Sequence, residues 1–203
     1  MLTLDLEDTK KVLFITKPTF LLTGSPGTGK STFSEELVKR GYKHLELDKV
    51  VGIVAKRFKK TPEETKTLFG DIYRGRANKE ILKCFLDIVL QYMDKHSKHP
   101  IVIDGALSDP NIIKKLFKSP IVVFLYPNSV NMFAKRLLSR LHDDMKTKNY
   151  RMGETIEIID EYKKNGVSKQ IKKYIQDLAT LKTKKGQEAL ELFKDYDVIQ
   201  VLV

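Results

Sequence analysis

The sequence predicts an α/β fold: a parallel, doubly wound sheet with helices on both faces, three layers in all. Three observations predict it. The glycine-rich segment Gly24-Ser25-Pro26-Gly27-Thr28-Gly29-Lys30-Ser31 sits between a short apolar run at 19–23 and a helical pattern. That pattern carries Phe33, Leu37 and Val38 and stops at Gly41. Short apolar runs then alternate with helix-period segments along the chain, the signature of βαβ units. One run, Ile101-Val102-Ile103, is continuously apolar, as a strand covered on both faces requires.

The 203 residues suffice for one such domain with an insertion. Residues 1–18 read as a short N-terminal β extension. Leu2, Leu4 and Leu6 alternate onto one face, Glu7-Asp8-Thr9-Lys10 has turn chemistry, and Val12 to Thr16 is β-prone. That predicts a hairpin leading into the core strand at 19–23. Residues 19–203 then form the main domain. Lys43 to Leu47 reads as its second strand and ends at Asp48. A helix follows with Val50, Val51, Val54, Ala55 and Phe58 as apolar positions.

Thr61-Pro62-Glu63-Glu64 is a helix start: Thr61 as N-cap, Pro62 at the first helical position, Glu64 completing a capping box. That helix is expected to end near Gly70. A longer one, about 78–96, places Ile81, Phe85, Ile88, Val89 and Tyr92 on one face, and Pro100 closes the break after it. The strand at 101–103 ends at Asp104-Gly105, and Asp109-Pro110 opens the next helix. Ile121 to Leu125 is another buried strand. From Asn128 a helix carries Phe133, Leu137, Leu138 and Leu141. Residues 142–152 are polar and basic. Helical patterns resume near 154, break near Gly166 and continue to about 182, and Asp197 to Val203 reads as the last strand.

In such sheets ligands bind beyond the carboxyl ends of the strands. The glycine-rich segment, Asp48, Asp104 and the stretch after Leu125 all fall there. The segment fits G-x-x-x-x-G-K-[ST], the phosphate-cradling P-loop, in its confirming context of strand, turn and helix. Residues without Cβ let the backbone N–H groups converge on phosphate oxygens, and the helix aims its positive end at the same anion. Lys30 then reaches the β- and γ-phosphates, and the Ser31 hydroxyl is a ligand for Mg²⁺. The motif specifies nucleoside triphosphate binding, with ATP and Mg²⁺ as the expected cofactors. It does not specify the reaction.

Asp104 at its strand end is placed to accept from a Mg²⁺-bound water beside Ser31, or alternatively to cap a turn. Asp48 has three readings. It is a general base for an acceptor hydroxyl, an orienting residue for the acceptor or the metal's water shell, or the N-cap of a helix starting at 49. Arginine is sparse beside lysine, so its placement carries information. A guanidinium fork grips phosphate in a way lysine cannot. Arg57, Arg74 and Arg76 lie in the acceptor-binding region, about 48–99. Arg136, Arg140 and Arg151 flank a lid-like segment at about 140–155, placed to close over the transferred charge and exclude water.

Net charge is +11, but the excess is lysine spread in pairs with no basic run of five. That reads as solvated surface plus phosphate binding rather than a dedicated nucleic-acid face. No run approaches the ~20 apolar residues of a membrane span, and the acidic, alternating N-terminus is unlike a signal peptide. The single cysteine, Cys84, lies on an apolar helical stripe and reads as a core residue in a reducing, cytoplasmic setting. His44, His96, His99 and His142 show no metal-ligand spacing, and no Ser-His-Asp signature is present.

These residues resemble the P-loop kinases of the nucleoside monophosphate kinase superfamily, adenylate kinases among them. The resemblance rests on residues 23–32, Val102-Ile103-Asp104-Gly105, Val122-Val123-Phe124-Leu125 with the helix containing Arg136 and Arg140, and the lid-like segment. The stretch 151–162 looks like the helix that follows the lid in those enzymes. The likeness implies a P-loop NTPase fold of nucleotide-kinase type with a helical lid. Lys30 would hold the transferring phosphate, Gly24 to Thr32 the rest of the triphosphate, and Arg140 and Arg151 would act from the lid. Ile158 stands where those enzymes place a further arginine, and residues 1–17 match none of them.

Leu47-Asp48-Lys49-Val50-Val51 with Phe69-Gly70 is also similar to dephospho-coenzyme A kinases, and polynucleotide 5′-hydroxyl kinases share an aspartate at that strand end. The resemblance therefore implies a phosphotransferase. Its expected acceptor is a nucleoside monophosphate or similar small nucleotide. The alternatives are a hydroxyl acceptor, including a nucleic-acid end, with Asp48 as base, and a P-loop switch module that signals by conformation. No membrane partner is expected.

Overall fold

The structure, a computed structural model, describes residues 1–25, 27–147 and 156–203. Its sheet is parallel throughout the described strands, with helices on both faces, as the alternation predicts. The strands are β1 (Leu2–Asp5), β2 (Phe20–Gly24), β3 (Lys43–Glu46), β4 (Ile101–Asp104), β5 (Ile121–Tyr126) and β6 (Asp197–Leu202), in the order β1-β6-β5-β2-β4-β3. The order reverses around β2, so the crevice between its diverging neighbours opens at the carboxyl end of β2. The register aligns Leu22 and Glu46 with Asp104, and Gly24 with Leu125. Glu46, Asp104 and the start of the glycine-rich loop therefore reach one rim of the sheet.

The first segment departs from the hairpin expectation. β1 pairs in parallel with β6, Leu2 against Ile199 through Asp5 against Leu202, and the chain then turns into helix α1 (Leu6–Thr16). The reason is local and was visible. The Asp5 carboxylate accepts from the Asp8 amide at 2.7 Å, Glu7 and Asp8 lie in the first turn, and Lys17 closes the helix in a left-handed conformation with φ 45°. Leu6, Leu13 and Phe14 face the core, whereas Val12 and Ile15, which suggested a strand, point to solvent. Residues 1–18 are thus woven into the sheet's edge and one of its faces.

One face of the sheet carries α1 and α2 (Lys30–Lys39), with Phe20, Leu22, Phe33, Leu37, Val102 and Val123 packed between them. The other face carries α3 (Leu47–Arg57), α4 (Pro62–Tyr73), α5 (Lys79–Lys95) and α6 (Pro110–Leu116) over Leu21, Ile101, Ile103 and Phe124. Thr61 and Glu64 form the expected reciprocal capping box, and Asp109 caps α6. α4 continues past Gly70 to Tyr73. α7 (Val130–Thr147), α8 (Ile156–Asn165) and α9 (Lys169–Glu191) form a third cluster around Phe133, Leu137, Leu141, Ile158 and Ile175. Ile158 is buried in that cluster.

α9 also runs nine residues past the expected end at 182. Gly186 explains this. A Cβ there would lie 3.2 Å from Ser25 Oγ and 3.5 Å from the Tyr126 ring, so glycine lets the helix lie against the glycine-rich loop.

Candidate active site

β2 delivers the chain to Gly24 with φ 138°, and a Cβ at that position would stand 2.4 Å from the Leu125 carbonyl oxygen. Only glycine fits, and the chain leaves the sheet there as a loop. The loop is braced from within. Thr28 Oγ1 donates to the Ser25 carbonyl at 2.8 Å, and Ser25 Oγ donates to the Lys182 carbonyl of α9 at 3.1 Å. α2 begins at Lys30, immediately after the loop. Lys30 Nζ turns back to the Gly24 and Ser25 carbonyls at 2.9 and 3.2 Å. Burial pushes the Lys30 ammonium pKa down. Asp104 and Asp48 counter that, and Arg140 adds to it. Lys30 is therefore a half-buried cation held by weak carbonyl acceptors, which an anion would replace.

Around it lies a cleft of about 530 Å³ lined by Gly24, Gly27, Gly29, Lys30, Ser31, Thr32, Asp48, Asp104, Arg136 and Arg140, with Glu46, Ser139 and Asp143 completing the wall. α7 is fastened over the loop by Phe133 and Leu137, which meet Gly27. Arg136 and Arg140, one turn apart, thereby face the cleft. Arg140 Nε is buried with no hydrogen-bond partner among the described residues. A buried guanidinium N–H left open beside Lys30 fits an anionic ligand. The loop, Lys30 and Arg140 together suit a triphosphate. Ser31 and Asp104 share its wall, the donor set a Mg²⁺ held partly by phosphates and water would use. Among the described residues no group of three His, Cys, Asp or Glu stands together as a protein-only metal cage.

Asp48 is not an N-cap. It occupies the second position of α3, whose cap is Glu46, and its carboxylate accepts a hydrogen bond from the Tyr73 hydroxyl. The arginines expected at the acceptor lie elsewhere. Arg57 ends α3 with its guanidinium 3.7 Å from Cys84 Sγ. Arg74 is exposed at the end of α4. Arg76 lines a separate hollow with Lys60, Glu64 and Asp71. None of the three lines the cleft. Pro26 and Arg151 lie outside the described residues, as does the second half of the lid-like segment, 148–155.

The sequence reading passed over Tyr73, Glu46, Ser139 and Asp143, and weighed His44 only as a metal ligand. Ser139 and Asp143 follow Arg136 and Arg140 at helical spacing and were legible as one face. Glu46 and His44 alternate with each other along β3, and His44 Nε2 comes within 3.8 Å of Asp104 Oδ2. Nothing local marks Tyr73. A second opening, about 300 Å³ and more apolar, lies across the loop between Leu6, Phe33, Leu125, Arg136 and Val203.

No helix among the described residues is long and apolar enough to cross a membrane. A search of curated proteins finds no match. Two solved structures are similar over most of the chain. TT1252 from Thermus thermophilus is 16% identical, with 92% of this chain and 89% of that one covered and a TM-score of 0.47. Shikimate kinase from Acinetobacter baumannii, in complex with shikimate, is 18% identical, with 93% and 85% covered and a TM-score of 0.40. The family described as AAA domain matches residues 21–160, from β2 through the P-loop, Asp48, Asp104 and the α7 arginines into α8. The chain belongs to that AAA domain family.

Proposed function

We propose that the protein is an ATP- and Mg²⁺-dependent phosphotransferase whose acceptor is a nucleotide or nucleotide-like molecule that reacts through a hydroxyl. The observation that carries this reading is the pairing in the cleft: Asp48 lines it, and Arg57, Arg74 and Arg76 do not. A phosphate acceptor brings two negative charges and needs a cationic clamp. The acceptor side here offers Glu46 and Asp48 instead. A hydroxyl acceptor needs a carboxylate to take its proton, and Asp48 supplies one.

In this reading Lys30 and Arg140 stabilise the charge on the transferred phosphoryl group. Asp48 accepts the hydroxyl proton as the acceptor oxygen bonds to the γ-phosphorus and the bond to the β-phosphate oxygen breaks. Mg²⁺ bound by Ser31, with Asp104 behind its water shell, would neutralise phosphate charge. The apolar opening near Leu6 and Val203 suits the planar base of the donor, on the far side of the loop from Asp48. The nucleoside monophosphate reading keeps one support, the pair of arginines on α7 above the loop.

The test is an ATP-consumption assay over nucleoside monophosphates, dephospho-coenzyme A and 5′-hydroxyl oligonucleotides, with the wild-type protein and Asp48→Asn. A hydroxyl acceptor turned over by the wild type and slowed ~10²–10⁴-fold by the substitution is the expected result. Turnover of a monophosphate with a mild effect of Asp48→Asn would restore the monophosphate reading. ATP turnover that ignores every acceptor would favour a switch module.

A further inference from the structure

We propose that Tyr73 is a positioning residue for the reaction, orienting Asp48 through a permanent hydrogen bond so that one carboxylate oxygen stays aimed at the acceptor. The inference rests on the proposed base role of Asp48 and adds the residue through which that role is set.

Asp48 opens α3 and Tyr73 ends α4, 25 residues later, and the two helices pack against each other. The Tyr73 hydroxyl donates to Asp48 Oδ1. Among the described residues this is the only hydrogen bond to the Asp48 carboxylate, which forms no ion pair there. The Tyr73 ring is 7% exposed, in edge-on contact with Phe69 at 6.3 Å between centroids. Its backbone is tied as firmly as its ring. The Tyr73 carbonyl accepts from the Ser108 and Asp109 amides at 3.0 and 3.1 Å and from Ser108 Oγ at 3.2 Å. Those residues belong to the loop that leaves β4 at Asp104. Tyr73 thus links the acceptor-side carboxylate to the segment that carries the expected metal-side carboxylate, with little freedom at either end.

Two consequences follow from this linkage. Burial pushes the Tyr73 phenol far up, and Asp48 pushes it further, so the hydroxyl remains a donor at any working pH. Asp48 Oδ1 is therefore occupied by the phenol O–H, which leaves Oδ2 as the oxygen that faces a ligand. The other charges near Asp48 are Lys30 from the start of α2, Asp104 from β4, and Glu46 and Lys49 from its own segment. Glu46 and Lys49 are paired with each other at 2.8 Å. None of these replaces an oriented hydroxyl donor.

Tyr73→Phe removes the hydroxyl and keeps the ring. With the acceptor found by the panel, kcat should fall about tenfold or more, the loss expected for a hydrogen bond to a charged group. The KM for ATP should hold. In an Asp48→Asn background Tyr73→Phe should cost nothing further. A structural role alone would lower the melting temperature and cost activity in that background too. Tyr73→Leu, which also loses the ring, separates the two effects by adding instability in both backgrounds.

A severe Asp48→Asn effect with a wild-type rate in Tyr73→Phe overturns this proposal and leaves the base reading standing. A mild Asp48→Asn effect overturns both. A further loss of kcat from Tyr73→Phe in the Asp48→Asn background overturns it as well.

Discussion

Leu13→Ala tests whether the N-terminal segment is part of the folding unit. Leu13 is fully buried on α1, packed with Phe20, Phe33, Leu37 and Tyr42 over the sheet. Its carbonyl accepts the Tyr42 hydroxyl at 2.9 Å and the Lys17 amide at 2.8 Å, both of which the substitution keeps. The change therefore isolates the side chain. Deleting a fully buried leucine side chain costs about 3 kcal/mol, from lost transfer energy plus the cavity left behind. For a chain of this length that is a fall of roughly 6–12 °C in melting temperature. Ile15→Ala is the control. Ile15, two residues further along α1, is 82% exposed, and its truncation should stay within about 0.5 kcal/mol. Urea unfolding of both variants and the wild type, followed by circular dichroism, gives the comparison. A loss below about 1 kcal/mol for Leu13→Ala, or equal losses for the two variants, would refute the placement of α1 on the sheet.

Two further outcomes separate the arginines and the buried phenols. Arg140→Ala should lower kcat by ~10²–10³, as for loss of one preorganised donor to transition-state charge, whereas Arg57→Ala, outside the cleft, should leave turnover within about twofold. Steady-state kinetics with the identified acceptor checks both, and equal effects would sink the assignment. Burial raises the Tyr42 phenol above its ordinary value of 10.0, so the folded state binds the proton more tightly than the unfolded chain does. The stability this confers is complete below pH 10 and is lost as pH rises further toward the folded-state value. Urea midpoints measured from pH 8 to 11 should therefore fall above pH 10, and Tyr42→Phe should flatten that fall while losing the hydrogen bond to Leu13.

Much of the site was legible because its signals are short-range. The spacing of Gly24, Gly29, Lys30 and Ser31 specifies a loop between strand and helix. Thr61 with Glu64, and Asp109 with Pro110, specify helix starts by contacts three residues apart. The continuous apolar run before Asp104 specifies a covered strand with a carboxylate at its end. Each depends only on neighbours along the chain. The errors came where two local signals competed. At residues 2–16 alternation suggested a hairpin, while the Asp5 cap and the acidic first turn favoured a helix, and packing against β6 decided for the helix. The helical pattern was read only to about 182, yet the missing side chain of Gly186 is what allows α9 to continue past the P-loop.

By itself the sequence determined the P-loop, the order of strands and helices from β2 onward, and the carboxylates close to two strand ends, because period and capping act within a few residues. Only the tertiary structure decided how distant pieces meet. Parallel neighbours come from far apart in the chain, so nothing local tells Leu2 that it pairs with Ile199. Arg57, Arg74 and Arg76 have the chemistry of an acceptor clamp, but the packing of α3 and α4 turns them away from the cleft. The same packing brings the Tyr73 hydroxyl onto Asp48, since the direction of a side chain at a helix end is set by what the helix rests on.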